Sequence, residues 1–214
     1  MPGAVKTRAI VLNALTYGES DLIVTLLSED EGVIKIFAKG AAKSRKRFAG
    51  CFEPFTLISA GLCIKDDGLS KIDSADIIKA HYGIRESLER IGAGAVMLEA
   101  AATLEPGPHA GAFALLEETL GLLEKSSDPH CLAIVFLVKM LAISGLGISH
   151  SAEAKSLSPG ALAFVRQAET IETSKMVRLK LSKAGLDELI NFLSAYFRTI
   201  AGKRLKALES LKAQ

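Results

Sequence analysis

Near residue 81 the hydrophobic pattern of this chain changes period, and that change limits the folds open to it more than any other feature of its sequence. Up to Ala80, apolar and β-branched residues fall in short runs broken by turn residues, which is the pattern of strands rather than helices. Five runs can be marked: Arg8 to Leu15, Leu22 to Ser28, Val33 to Lys39, Phe55 to Lys65 and Leu69 to Ile78. The third is entered through Glu29-Asp30-Glu31-Gly32 and the fifth through Asp66-Asp67-Gly68. Asp-Gly is the stronger hairpin signal, because a two-residue turn of that type needs positive φ at its glycine. Five short strands predict a small closed barrel. An OB-like barrel is one five-stranded solution, and it presents a face and loops to oligonucleotides.

From Tyr82 onward apolar residues recur at three- and four-residue steps, as in Ile84, Leu88, Ile91, Ala95 and Leu98, so helices are expected. The first runs from Tyr82 to Leu104 and breaks at Glu105-Pro106-Gly107-Pro108; a second runs from Phe113 to Lys125. Asp128-Pro129 opens a third, since Asp can accept from the free amides of the first turn and Pro suits the first helical position. That helix extends to about Ser144 and is apolar on almost every side, so other helices must surround it. Gly145 to Leu157 reads as a loop. Ser158-Pro159 repeats the start signal for a helix through Ala168, Gly185 to Ala201 forms another, and Lys203 to Lys212 is expected as a fraying helical extension. The fold class is therefore α+β, with a five-stranded barrel over 1–80 and an all-helical part over 81–214.

Hydrophobic residues make up 49% and charged residues 23% of the 214, enough apolar material for a core and too much for wholesale disorder. The longest apolar run, Cys131 to Ile143, is interrupted by Lys139 and falls short of the roughly 20 residues that span a bilayer. The N-terminus lacks the pattern of a secretory signal, so a reducing cytosol and no membrane are expected. Three cysteines, Cys51, Cys63 and Cys131, without any C-x-x-C pairing suggest neither a disulfide framework nor a zinc site. His81, His109, His130 and His150 are too scattered for a metal site. No G-x-S-x-G elbow and no G-x-x-x-x-G-K-[ST] loop occurs, so no catalytic centre and no cofactor are expected. Gly92-Ala93-Gly94 lacks the preceding strand that a phosphate loop needs and reads as close helix packing.

Net charge is only +2, but its distribution is uneven: residues 1–80 hold 11 basic and 10 acidic groups, 81–174 hold 6 and 11, and 175–214 hold 9 and 3. The densest basic run, Lys39 to Arg47 (KGAAKSRKR), contains five cations and no acid, a local field suited to phosphate. Such a run is ordinarily a solvated loop. Its position after a barrel strand, and the small residues Gly40, Ala41 and Ala42 that let backbone approach phosphate, favour a nucleic-acid contact. Phe48 at its end reads either as an anchor packed on the barrel or as a base-stacking platform.

Several segments in the first third resemble the RecO family. Thr7-Arg8-Ala9-Ile10-Val11-Leu12 is similar to that family's first strand, and Tyr17-Gly18-Glu19-Ser20-Asp21 to its next loop. Gly32-Val33 through Ala38-Lys39-Gly40-Ala41 resembles its third strand and basic turn, and Phe48 through Pro54-Phe55-Thr56-Leu57 the strand after it. Leu157-Ser158-Pro159-Gly160-Ala161-Leu162 looks like a helix start of the family further on. The resemblance implies an N-terminal OB-fold, a helical C-terminal domain and a non-enzymatic, bacterial cytoplasmic role in recombinational repair. That role is to bind single- and double-stranded DNA, anneal complementary strands and help load the recombinase on coated single strands. The implied protein partners are RecR and the acidic C-terminal tail of the single-stranded-DNA-binding protein. Many members carry a four-cysteine zinc module in the region of Gly145 to Leu157; here that segment has no cysteine, and no structural zinc is expected.

Arg8, Lys35, Lys39, Lys43, Arg45, Lys46, Arg47 and Phe48 are thus the expected DNA-binding residues. The basic C-terminal part supplies Lys175, Arg178, Lys180, Arg198, Lys203, Arg204 and Lys206 as candidates for DNA or an acidic tail. Their ordinary reading is the wet face of amphipathic helices. An OB-fold RNA-binding factor is the alternative that charge pattern cannot separate from a DNA-binding one; a hydrolase would require carboxylates that converge only in the fold.

Overall fold

The computed structural model describes residues 4–44, 46–65, 69–105, 107–109, 111–200 and 202–211; Arg45, the Asp66-Asp67-Gly68 turn, Pro106 and Lys212 lie outside the described residues. The chain divides into two compact units, one comprising the first 81 residues together with 104–109 and the other 82–103 together with the chain from 110 onward.

In the first unit, β1 (Ala4–Tyr17), β2 (Asp21–Ser28), β3 (Gly32–Ala38), β4 (Leu57–Cys63) and β5 (Ser70–Lys79) follow the five apolar runs. They close into a barrel in the order β1-β2-β3-β5-β4, with β1 also paired to β4. The order is OB-like: every pairing is antiparallel except the short parallel contact of Ile36 and Phe37 with Ser70 and Lys71. β1 is long because it pairs with β4 through its first half and with β2 through its second. Alternate residues, among them Val11, Val24, Leu26, Ile36, Ile58 and Leu62, fill the barrel.

A bulge in β1 between Val11 and Asn13 shifts the register against β2. Strict alternation from the inward Val11 would turn residues 13, 15 and 17 inward as well. The extra residue instead places Ala14 against the core and leaves Leu15 and Tyr17 59% and 58% exposed. The segment 104–109, read from sequence as a break between helices, returns to the barrel, where Gly107 bridges Gly32 at the start of β3. Both glycines have positive φ, and a Cβ on Gly32 would strike the Gly107 carbonyl.

In the second unit, a 3-10 turn at Tyr82–Glu86 precedes α1 (Leu88–Ala101), so the expected helix from Tyr82 begins later, at the extended cap Ser87. α2 (Ala112–Leu123), α3 (Pro129–Ile143), α4 (Pro159–Thr170), α5 (Lys183–Thr199) and α6 (Lys206–Ser210) follow. Asp128 and Ser158 cap α3 and α4 as the Asp-Pro and Ser-Pro pairs predict, accepting from the amides of Cys131 and Ala161 at 3.1 and 3.2 Å. α3 is the central helix: Cys131 to Val138 are all at most 2% exposed, and α1, α2, α4 and α5 pack around it. Its one cation, Lys139, is half-buried; Nζ donates to the Ile171 carbonyl at 2.6 Å, and burial pushes its pKa down.

The loop 145–157 is held without cysteine. Glu169 Oε1 accepts the amides of Ile148 and Ser149 at 2.7 and 3.0 Å, and the Tyr196 hydroxyl donates to the Leu146 carbonyl at 3.2 Å. With no cysteine in the segment and His150 exposed, its residues do not fit a zinc module. Among the described residues no group of three His, Cys, Asp or Glu could hold a metal ion, and no described helix is long and apolar enough to cross a membrane.

Candidate nucleic-acid interface

The basic run occupies one end of the barrel and is fixed there by the β1–β2 hairpin. Gly40, at φ 68°, donates its amide to Asp21 Oδ1 at 2.7 Å, and the Ala42 amide donates to the Ser20 carbonyl at 2.9 Å. Ala41 to Lys43 form a 3-10 turn. The chain then crosses toward β5, where the Arg47 guanidinium donates to the Asp73 carbonyl at 2.6 and 3.2 Å, and the Cys51 thiol donates to the Ala75 carbonyl at 3.4 Å. Burial, and then Asp76, push the Cys51 thiol up, so it stays protonated and inert.

Lys39, Lys43, Lys46 and Arg47 are exposed around this end, and Lys35 is exposed on the outer face of β3 below it. Lys35, Lys39, Lys43 and Lys46 have no carboxylate within ion-pair distance among the described residues. Arg47 differs, since its hydrogen bonds to Asp73 and its position 4.6 Å over the Phe48 ring give it a structural task. Arg45 lies outside the described residues.

Two expected residues stand apart. Phe48 is only 3% exposed, packs on Phe52 with centroids 5.1 Å apart and belongs to the barrel core. With Arg47 covering its ring, it is the anchor of the loop, and the stacking alternative is corrected. Arg8 sits beside Glu29, 3.5 Å away, toward the opposite end of the barrel. Nine residues of strand separate it from Tyr17, roughly 30 Å, so the structure does not bring it to the cluster.

The same outer face carries residues that the periodicity did not mark. Tyr17 meets Phe37 edge-to-face with centroids 6.0 Å apart. Lys71 is exposed on β5 as the register partner of Phe37. The signal for Tyr17 would have been the bulge, which depends on pairing with β2 and has no local marker.

In the second unit the C-terminal cations are divided between two places. Lys175, Arg178 and Lys180 follow α4 on a segment packed against α2 and α3, with Lys175 paired to Glu172 at 2.6 Å and Lys180 3.8 Å from Asp128. Arg198, Lys203, Arg204 and Lys206 lie at the other end of α5, about 24 Å away along a helix of that length. There Arg204 grips Glu209 at 2.6 and 3.1 Å, which raises its pKa, and Glu99 accepts the Lys206 amide at 2.9 Å. A cavity of about 360 Å³ beside the first group is lined by Leu122, Val177, Lys125 and Lys180. A neighbouring cavity of about 370 Å³ shares Lys180 and is lined by Phe164 and by the caps of α4 and α5, Ser158 and Ser182.

Two family models match this chain, Recombination protein O N terminal over residues 1–81 and Recombination protein O C terminal over residues 85–156. The chain belongs to the RecO family. The DNA repair protein RecO of Anaeromyxobacter sp. strain Fw109-5 is 40% identical over 127 residues, which are 58% of this chain and 50% of that protein. The Bacillus subtilis protein of the same name is 33% identical over 155 residues, 71% of this chain and 60% of its own length. The Thermodesulfovibrio yellowstonii protein is 29% identical over 234 residues, 92% and 93% of the two chains. In its matches to the Anaeromyxobacter and Myxococcus relatives, the chain spans little more than half of their length. For this RecO-family chain, the N-terminal model covers the whole barrel with its basic end, whereas the C-terminal cations lie beyond the segment matched by the second model.

Proposed function

We propose that this chain is a non-enzymatic DNA-binding recombination mediator of DNA repair, which binds single and double strands and anneals complementary ones. Assistance in loading a recombinase on coated single strands, in company with RecR, is the wider role this reading places it in. The observation that carries it is the basic end of the barrel, where Lys35, Lys39, Lys43 and Lys46 project without carboxylate partners among the described residues. Cations so placed displace condensed counterions from phosphate and lower the repulsion that opposes strand pairing. A strand-annealing assay with complementary oligonucleotides, with and without the coating protein, tests the reading. Acceleration over the spontaneous rate supports it, and no acceleration refutes it. Affinity for RNA far above that for single-stranded DNA would instead favour the RNA-binding alternative.

A second element of the proposal concerns the acidic tail of the coating protein. The cavity between Leu122 and Val177 sets apolar walls beside the cations Lys125 and Lys180, which suits a peptide that combines carboxylates with apolar side chains. Lys125→Glu with Lys180→Glu should abolish capture of a tail peptide by the full chain, since both cations beside the apolar walls are reversed. Undiminished tail capture would refute this placement.

A further inference from the structure

The outer face of β1, β2 and β3 is built unlike a solvated sheet face. Asn13, Leu15 and Tyr17 lie opposite Thr25, Ile23 and Asp21, and Ile23 and Thr25 lie opposite Phe37 and Lys35. The centre of this face is therefore apolar and aromatic. Its margin is cationic: Lys35 and Lys39 flank Phe37 at two-residue steps along the strand direction, and Lys71 stands beside it on β5. These three lysines have no ion-pair partner among the described residues. Of the acidic groups at this end, Asp21 accepts from the Gly40 amide and the Ser20 hydroxyl, while Glu19 and Asp73 are exposed.

The bulge matters here. Without it Tyr17 would point into the barrel, so the fold spends a register irregularity on presenting a ring to solvent. Phe37 meets that ring at 82° with centroids 6.0 Å apart, and Tyr17 remains 58% exposed beside it.

We propose that Tyr17, supported by Phe37, is a base-stacking platform that makes this face a site for unpaired nucleotides, with Lys35, Lys39 and Lys71 on the flanking phosphates. The proposal rests on the DNA-binding reading above and assigns the chemistry of its contact. Duplex bases are already stacked on one another and cannot offer a face to Tyr17, whereas an unpaired base can, whatever its identity. An apolar centre rimmed by cations matches a planar base carried on a polyanion, and the site is selective for single strands by stacking rather than by charge.

The test uses the full chain with an oligo(dT), an abasic oligonucleotide of equal length and a blunt, fully paired duplex without a loop. Tyr17→Ser should lower oligo(dT) affinity roughly tenfold, the size of one base–aromatic stack, with duplex and abasic affinities within about twofold of wild type and an unchanged salt slope. Tyr17→Phe should restore oligo(dT) binding, and 2-aminopurine emission in a labelled strand should change on binding wild type and Tyr17→Phe but not Tyr17→Ser. Lys35→Ala with Lys39→Ala should weaken all three ligands together. Equal binding of oligo(dT) and the abasic strand by wild type would overturn the proposal without any variant. So would a Tyr17→Ser loss shared equally by the duplex. If the lysine pair matters and Tyr17→Ser does not, stacking alone is lost; if wild type binds none of the three, the DNA-binding reading falls with it.

Discussion

The basic end of the barrel permits a count. Replacing Lys35, Lys39, Lys43 and Lys46 by Ala removes four exposed cations that have no carboxylate partner among the described residues. Arg47 is left in place because its bonds to the Asp73 carbonyl hold the loop. Each phosphate neutralised on a single strand contributes about 0.7 to the slope of log affinity against log salt, so the four together account for at most about 3. Over a fourfold rise in salt, a slope difference of that size is roughly a 50-fold difference in affinity. Fluorescence anisotropy of a labelled oligonucleotide across a salt series gives both slopes. The variant should keep wild-type stability to within about 0.5 kcal/mol, as surface substitutions do, and that control separates lost contact from lost fold. A variant slope within about half a unit of wild type would mean that these lysines touch no phosphate.

Three further outcomes concern what holds the two units. Glu169→Ala should destabilise the chain by about 2–4 kcal/mol in urea unfolding and Glu169→Gln by less, since the carboxylate accepts the amides of both Ile148 and Ser149; a change below about 0.5 kcal/mol would show that the loop is held by other contacts. Gly32→Ala should cost well over 2 kcal/mol because the new Cβ meets the Gly107 carbonyl, whereas Gly18→Ala, at the same positive φ with open space around it, should cost only about 1–2 kcal/mol of backbone strain. Equal losses in the two variants would refute the close approach. For Cys131, burial and the nearby Asp128 push the thiol up from the usual 9.0 to about 12. The unfolded thiol ionises first as pH rises, so the stability this group contributes is complete below pH 9 and is lost between 9 and 12. Cys131→Ala should therefore show a shallower loss of stability than wild type over that window, and parallel curves would refute the assignment.

What was legible in the sequence was whatever a local pattern encodes. Alternation located the strands to within a few residues, and Asp128-Pro129 and Ser158-Pro159 marked two helix starts at the residue. The start of α5 was placed two residues late, at Gly185, because Lys183-Ala184 continues the polar connection and the cap Ser182 carries no proline after it. Features that depend on pairing at a distance were not legible. Nothing near Leu12 announces the bulge that turns Tyr17 outward, and nothing in Glu105-Pro106-Gly107-Pro108 says that the break between helices returns to β3. Phe48 shows the same limit from the other side: in sequence it ends a basic run, and only the closed barrel shows the hydrophobic opening it plugs with Phe52. The C-terminal cations form one group in composition, but the length of α5 divides them into two.

Annealing imposes two demands that pull against each other. Strands must be held firmly enough to overcome phosphate repulsion, yet the hydrogen-bonding edges of their bases must stay free to find complements. Contacts to base edges would meet the first demand and defeat the second. Lysine contacts to phosphate, together with a ring that takes the flat face of a base, meet both, since neither occupies a pairing edge. The outer barrel face has that composition: between its rings and lysines the described strands offer only Asn13 and Thr25 as neutral side chains able to read an edge. Firm positioning of the cations follows from the fold, because the turn that carries them is tied by Gly40 and Ala42 to the hairpin that presents Tyr17. Charge and ring are therefore held in one fixed geometry, which is what the proposed annealing asks of the site.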